Sequence, residues 1–199
     1  MSLFFETICL ENGKVQNLDL HNERMNKTRK DFFGASPIDL RQHIFTPNMS
    51  SQKIKCRVLY SQQIHSITYE KYTPKKIQSF ALIEVANDFT YTYKHNNRTI
   101  INQHYAHKGK YDDVLFIRNH LVTDSSFCNV AFYVNNEWFT PTAPLLKGTM
   151  REKLLREKRL VERDLGVRDI EGKRMAIMNA MVGFVEVEQA SLLMPAPIF

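Results

Sequence analysis

The sequence predicts an α+β fold with largely antiparallel sheets, on three observations. Short β-prone runs recur along most of the 199 residues. Helical spacing of apolar residues is confined to a few separated segments. Helices and strands do not alternate in the regular order that a doubly wound parallel sheet requires.

The elements follow in chain order. Residues 3–9 (LFFETIC) are apolar and β-prone and end at the turn Glu11-Asn12-Gly13, after which Val15–Leu20 reads as a short return strand. From His21 to Phe33 the apolar positions recur at helical spacing, and Gly34 supplies a stop. Pro37 opens a second short helix predicted to run to Phe45. Lys53–Tyr60 and Gln63–Tyr69 alternate as strands. The pattern breaks at Tyr72-Thr73-Pro74-Lys75-Lys76, which sets two domains, 1–73 and 74–199.

Beyond the break, Ile77–Val85 reads as a strand, Thr99–Lys108 as a helix, and Asp113–Arg118, Asn129–Asn135 and Glu137–Phe139 as strands. A charged amphipathic helix is expected over 149–164. The tail is read as a strand at Val167–Glu171, a helix at Arg174–Met178 and a strand at Gly183–Val187.

Composition narrows the function classes. The opening residues are apolar only in short pieces broken by Glu6 and Glu11, so neither a signal peptide nor a membrane span is expected, and the expected location is cytoplasmic. Three cysteines, widely spaced and never C-x-x-C, argue against a disulfide framework or a zinc knuckle. The histidines show no metal-ligand spacing, so no metal is expected. A net charge of +6 would suit nucleic acid, but the densest basic run, Arg151 to Arg159, is interleaved with acids and reads as a solvated helix face. A basic balance equally suits anionic small molecules.

Tyr93-Lys94-His95-Asn96-Asn97-Arg98 is the first segment with chemical promise, because a lysine between a β-prone run and a helix projects from a fixed position. Further along stand Asp112-Asp113-Val114-Leu115, then Val122-Thr123-Asp124-Ser125-Ser126-Phe127-Cys128-Asn129-Val130-Ala131-Phe132, then Thr140-Pro141, Leu145-Leu146-Lys147-Gly148-Thr149-Met150-Arg151, and Asn179-Ala180-Met181-Val182-Gly183. Upstream are Phe5-Glu6-Thr7-Ile8, Asn12-Gly13 and His21-x-x-Arg24. In this order and at this spacing, from about residue 4 to residue 187, the segments resemble those of the fold-type IV pyridoxal phosphate (PLP) enzymes, the class IV aminotransferase family.

The resemblance implies a two-domain, D-amino acid aminotransferase-like fold, with a small N-terminal α/β domain and a larger β-rich C-terminal domain carrying helices. It implies a homodimer, a small-molecule substrate, and PLP held covalently by Lys94, the catalytic residue. Arg24 with the Gly148-Thr149-Met150 turn would take the cofactor phosphate, Asp124 the pyridine nitrogen, and Asn129, Asn179 and Ala180 would line the cofactor. Phe5, Thr7 and Arg98 would face substrate. Two features depart from the family pattern: its glutamate at the pyridine nitrogen is here the shorter Asp124, and its threonine in the phosphate turn is Met150. Family members also usually begin with a further hairpin, whereas this sequence opens almost directly at Leu3-Phe4-Phe5-Glu6, which implies a shortened small domain.

The residue types suit the chemistry independently of the family. An amine attacks an aldehyde only when neutral, so a cofactor lysine needs cationic or apolar neighbours. A phosphate dianion is met by a helix N-terminus and a guanidinium. A carboxylate at the ring nitrogen keeps it protonated and electron-withdrawing. Lys-His-Asn-Asn-Arg, Met150 and Thr7 after Glu6 are similar to the aminodeoxychorismate lyases, which implies release of pyruvate from 4-amino-4-deoxychorismate to give 4-aminobenzoate. The alternatives are an aminotransferase of branched-chain or D-amino acids, and a PLP-binding or interaction protein without turnover.

Overall fold

The computed structural model describes residues 2–46 and 52–193. The chain divides into two compact units, unit 1 comprising Met1–Pro74, Tyr93–Asn97 and Ala180–Val182, and unit 2 comprising Lys75–Thr92, Arg98–Asn179 and Gly183–Phe199. Helices and strands are mixed as an α+β fold requires.

Unit 1 is built on β1 (Phe4–Glu11), β2 (Lys14–Val15), β3 (Ile54–Tyr60) and β4 (Ile64–Lys71), an antiparallel sheet in the order β2-β1-β3-β4. The strict alternation of buried and half-buried residues along β3 shows one face fully covered. On that face Phe4, Ile8 and Leu10 of β1 cluster with Ile54, Cys56, Val58 and Tyr60 of β3 and with Met25. Met25 belongs to α1 (Leu18–Phe33), whose buried residues His21, Met25, Thr28 and Arg29 fall on one helical stripe. Gly34 ends α1 in the left-handed conformation at φ 60°, where its N–H reaches the Lys30 carbonyl.

Two expectations for this unit are corrected. The return strand stops at Val15, because Asn17 turns left-handed at φ 52° and α1 begins at Leu18 rather than His21. The helix expected over Pro37–Phe45 is only a 3-10 turn, Leu40–Gln42. Its backbone groups are satisfied from α1: Asn26 Oδ1 accepts from Ile38 N, Asn26 Nδ2 donates to the Ile38 carbonyl, and Asn22 Oδ1 accepts from Leu40 N. With those partners supplied, the segment gains nothing by coiling.

Unit 2 holds a nine-stranded mixed sheet. Its path is β10 (Val161–Arg163), β9 (Glu137–Pro141), β8 (Asn129–Val134), β7 (Leu121–Ser125), β6 (Asp113–Arg118), β5 (Ser79–Glu84) and β13 (Ser191–Leu193). A branch off β8 carries β11 (Arg174–Asn179) and β12 (Gly183–Val187). The pairs β10–β9, β5–β6 and β13–β5 are parallel and the others antiparallel. The helices are α2 (Thr99–Ala106), α3 (Thr149–Arg156) and the single turn α4 (Val167–Ile170).

Three expectations fail here. The helix of 149–164 stops at Arg156, because Lys158 takes φ 56°, Leu160 enters the core and Val161–Arg163 pairs with β9. Val167–Ile170 is helical instead of extended: the Asp169 carboxylate accepts from Gly166 N at 2.8 Å and closes the turn. Arg174–Met178 is strand instead of helix, since pairing on both sides with β8 and β12 overrides the helix propensity of its Met and Ala. Met175–Met178 are all buried, so no period-two pattern marks them.

Candidate active site

In unit 1 the reactive groups gather around β1. Successive side chains of a strand alternate between faces, so Glu6 shares the α1 side with Phe4 and Ile8, while Phe5 and Thr7 point to the other. Glu6 is fully buried. Its Oε2 is 2.7 Å from His21 Nδ1, and its two oxygens accept from Arg24 Nε at 2.9 Å and Nη2 at 2.5 Å. Burial alone would raise the Glu6 carboxyl; the Arg24 charge and the His21 hydrogen bond outweigh it and bring it down to about 2. An ionised carboxylate only accepts, so His21 Nδ1 carries the proton of this contact. Burial pushes the His21 ring below the ordinary histidine value against the pull of Glu6, which favours the neutral ring. Arg24, expected at the phosphate, is thus oriented by a two-point fork from Glu6.

Lys94 is not at the end of a strand. It lies in a segment laid along the start of β1: Phe5 N donates to the Lys94 carbonyl at 3.0 Å, Asn96 N donates to the Leu3 carbonyl at 2.8 Å, and His95 bridges Phe4. Rings of Phe4, Phe32, Tyr93 and His95 pack about this segment, with Phe32 and Tyr93 edge-on at 4.8 Å. Tyr93 Oη also donates to Asp31 on α1. Lys94 Nζ lies 4.8 Å from the centroid of the Phe5 ring, so the amine is half-buried against an apolar and partly cationic surface. Thr7 pairs in register with Arg57, whose guanidinium carbon is 3.8 Å from the same ring. Ala180, half-buried, is also in unit 1.

In unit 2 the centre is Asp124 on β7, buried and paired in register with Asn129 on β8. Asn129 Nδ2 donates to Asp124 Oδ1 at 2.7 Å and to the Leu146 carbonyl at 2.8 Å, and Leu146 N donates to Asp124 Oδ2 at 2.9 Å. Desolvation dominates at Asp124: despite those donors and the Arg151 charge, its carboxyl rises to about 6. Gly148 precedes α3 and closes on Asn129, where a Cβ would lie 2.0 Å from Oδ1, so only glycine permits the approach. The start of α3 at Thr149 and Met150 is therefore fixed beside the Asp124–Asn129 network, and its N-cap residue, Gly148, has no side chain to cap it. Arg151 is buried on α3 and donates to the Pro141 carbonyl and to Glu162, tying the helix to β9 and β10.

Arg98, expected to face substrate, donates from Nη2 to the Ser126 carbonyl at 2.5 Å, and so braces the turn between Asp124 and Asn129. Asn179, at the end of β11, donates to Cys128 Sγ at 3.1 Å and steadies the same turn. The structure thus brings Asp124, Asn129, Gly148 and Thr149 together within unit 2, and Lys94 with Phe5 within unit 1. Sequence reasoning missed three contributors, Glu6, Arg57 and the backbone of Leu146. A lone acid inside the apolar run FFETIC was the available signal for the first, since a buried carboxylate demands a cation.

Within each unit the residue types are ones that PLP would use: in unit 1 an amine on a rigid segment and a guanidinium fixed in orientation, and in unit 2 a helix start with its amides and positive dipole end and a buried carboxylate lacking a full counter-charge. Among the described residues no cluster of His, Cys, Asp or Glu could hold a metal ion. Nor is any described helix long and apolar enough to cross a membrane.

Comparison with known proteins gives the following. The sequence pattern of the family described as amino-transferase class IV matches residues 3–190. An uncharacterised protein of Haemophilus influenzae is 36% identical over 185 residues, 90% of this chain and 97% of that one. The crystal structure of a protein of Haemophilus somnus, provisionally assigned as a 4-amino-4-deoxychorismate lyase, superposes with a TM-score of 0.85 at 30% identity, covering 92% of this chain and 98% of that one. One from Mesorhizobium loti, provisionally assigned as an amino-acid aminotransferase, shares the fold at a TM-score of 0.80 and 17% identity, with 97% and 100% covered.

Proposed function

This chain belongs to the class IV aminotransferase family, whose members are PLP-dependent lyases and aminotransferases, and we propose that it is a lyase converting 4-amino-4-deoxychorismate to 4-aminobenzoate and pyruvate. The observation that carries the cofactor assignment is Asp124: a buried carboxylate, raised to about 6 by desolvation, in the network beside the start of α3. Such a pair suits one ligand with a cationic nitrogen at one end and an anion at the other. What favours the lyase reading is the likeness to the Haemophilus somnus protein, together with the Lys94–Arg98 segment, Met150 and Thr7.

PLP supplies an electron-withdrawing ring once bound. The residues do the rest. Lys94 would hold the cofactor, take the proton from the substrate carbon bearing the amine, and return a proton as the aromatic product leaves. Arg24 and the amides of Thr149 and Met150 would take the phosphate, and Asp124 would keep the ring nitrogen protonated. Asn129 and Gly148 position Asp124 and α3, and Asn179 with Arg98 braces the turn between them. A homodimer and a cytoplasmic location belong to the same reading; Cys9, Cys56 and Cys128, buried and in no disulfide, suit a reducing compartment.

The test is incubation of PLP-loaded protein with 4-amino-4-deoxychorismate while both products are followed. The lyase reading expects equal amounts of 4-aminobenzoate and pyruvate, with the cofactor recovered as PLP. Conversion of the cofactor to pyridoxamine phosphate by an amino acid, without 4-aminobenzoate, would assign an aminotransferase. Loaded protein giving neither signal would assign a binding protein without turnover.

A further inference from the structure

Among the buried acids, Asp113 has no part in the cofactor reading. It opens β6 and is fully buried. Its Oδ1 accepts from Val114 N at 2.8 Å, while Oδ2 has no partner among the described residues in good hydrogen-bond geometry. Leu115, two residues further along β6, pairs in register with Ser125 of β7. Asp113 and Ser125 therefore share one face of the sheet, and Asp124 points to the other. Asp113 stands behind the turn that joins Asp124 to Asn129.

That turn is closed upon itself, since Ser125 N donates to the Cys128 carbonyl and Cys128 N to Ser125 Oγ. Burial raises the Asp113 carboxyl above the ordinary aspartate value, against the Ser126 hydroxyl, Val114 N, the Ser125 hydroxyl and the Ser126 backbone. None of these partners is a cation. The nearby charged groups are engaged elsewhere: Arg98 with the Ser126 carbonyl, Asp112 with Ser79 and Gln78 N, and Asp124, across the sheet, with Asn129 and Leu146 N. A buried carboxylate with one oxygen unpartnered and no cation beside it is costly. A neutral acid removes that cost and turns the same oxygen into a hydroxyl donor.

We propose that Asp113 is a positioning residue kept as a neutral acid, which donates from Oδ2 into the Ser125–Ser126 turn and thereby fixes Asp124 for the ring nitrogen of the cofactor. This rests on the reading of Asp124 as the partner of that nitrogen and adds the group that sets its position from the opposite face. Asp113 itself touches neither cofactor nor substrate. A neutral acid has a close mimic in asparagine, whose Nδ2 donates where the hydroxyl would and whose Oδ1 still accepts from Val114 N. An ionised Asp113 would have no such mimic.

Two measurements on the full chain test this. The infrared difference between wild type and Asp113→Asn at pH 7 should contain the carbonyl stretch of a protonated carboxyl. The contact at the ring nitrogen is read by titrating PLP and its 1-deaza analogue, in which carbon replaces that nitrogen, and following absorbance. The wild type is expected to bind PLP at least about tenfold more tightly than the analogue. Asp113→Ala should lower that preference about three- to tenfold, the effect of one ordinary hydrogen bond, and Asp113→Asn should restore it. Ser126→Ala, which leaves Asp113 in place and removes a hydroxyl beside it, should show the same loss and serves if Asp113→Ala does not fold. An acid with a merely structural role would lower the melting temperature and leave the preference unchanged. Absence of the infrared band, or an undiminished preference in Asp113→Ala and Ser126→Ala, would overturn the proposal. Equal binding of PLP and its analogue by the wild type would instead take Asp124 from the ring nitrogen; the band tells the two failures apart, because it depends on Asp113 alone.

Discussion

Glu6 in unit 1 and Asp124 in unit 2 are both buried carboxylates, as is Asp113, and Glu6 and Asp124 are treated in opposite ways. Glu6 in unit 1 meets two basic side chains and is driven down to about 2. Asp124 in unit 2 meets an amide, a backbone N–H and the more remote Arg151 charge, and rises to about 6. The first is electrostatically complete and orients its neighbours. The second lacks a full counter-charge, as expected of a group waiting for a cation. Burial is common to both, so partner chemistry decides which carboxyl is held low and which is held high.

That contrast can be broken by substitution. Glu6→Ala should lower the unfolding free energy of the apoprotein by about 3–5 kcal/mol in urea titration, because it leaves Arg24 and His21 around an empty, buried position. A loss under about 1 kcal/mol would mean that the Glu6 network is not worth its desolvation. Asp124→Asn should act on turnover instead, slowing it about 10²–10³-fold under saturating PLP, the range for losing one preorganised polar partner of the reacting system. Wild-type turnover in that variant would show that the ring nitrogen relies on another group.

The two carboxylates should also impose opposite pH dependence on the apoprotein. Glu6, lowered from 4.5 to about 2, contributes stability that is complete above pH 4.5 and lost as pH falls toward 2. Asp124, raised from 3.8 to about 6, withdraws stability as pH rises through that interval and leaves the apoprotein less stable at pH 7. Each limb amounts to about 3 kcal/mol at 1.36 kcal/mol per pKa unit. Glu6→Gln should flatten the acid limb and Asp124→Asn the limb between pH 4 and 6, read from thermal melts. Loading with PLP should flatten the second limb too, since a ring cation favours the ionised carboxylate. The smallest effect is expected at Arg24, whose replacement by Ala should weaken PLP binding about ten- to hundredfold. An unchanged dissociation constant would give the phosphate to the start of α3 alone.

How much of this was legible in the sequence depended on how each element is buried. β3 has one covered face, so Ile54, Cys56, Val58 and Tyr60 announce it by alternation. β11 is buried along Met175–Met178, and its Met and Ala residues read as helix until pairing with β8 and β12 is known. The run of charges after α3 reads as more helix, and only the tertiary pairing of Val161–Arg163 with β9 shows otherwise. Within the site, Lys94, Asp124, Asn129 and Gly148 lay in motifs with local order, and the structure gathers the last three into one network. The Glu6–Arg24 fork spans 18 residues and the Arg57–Asn96 bond 39, so neither had a local signature.

Every proposed role in this protein depends on Lys94 being the residue that holds the cofactor. Borohydride reduction of PLP-loaded protein, followed by peptide mapping, tests this directly, because reduction fixes the cofactor to whichever amine carries it. The expected result is one labelled peptide, modified at Lys94, with the label absent from Lys94→Ala. A label on Lys147 or Lys108, or none on protein shown by absorbance to be loaded, would contradict it.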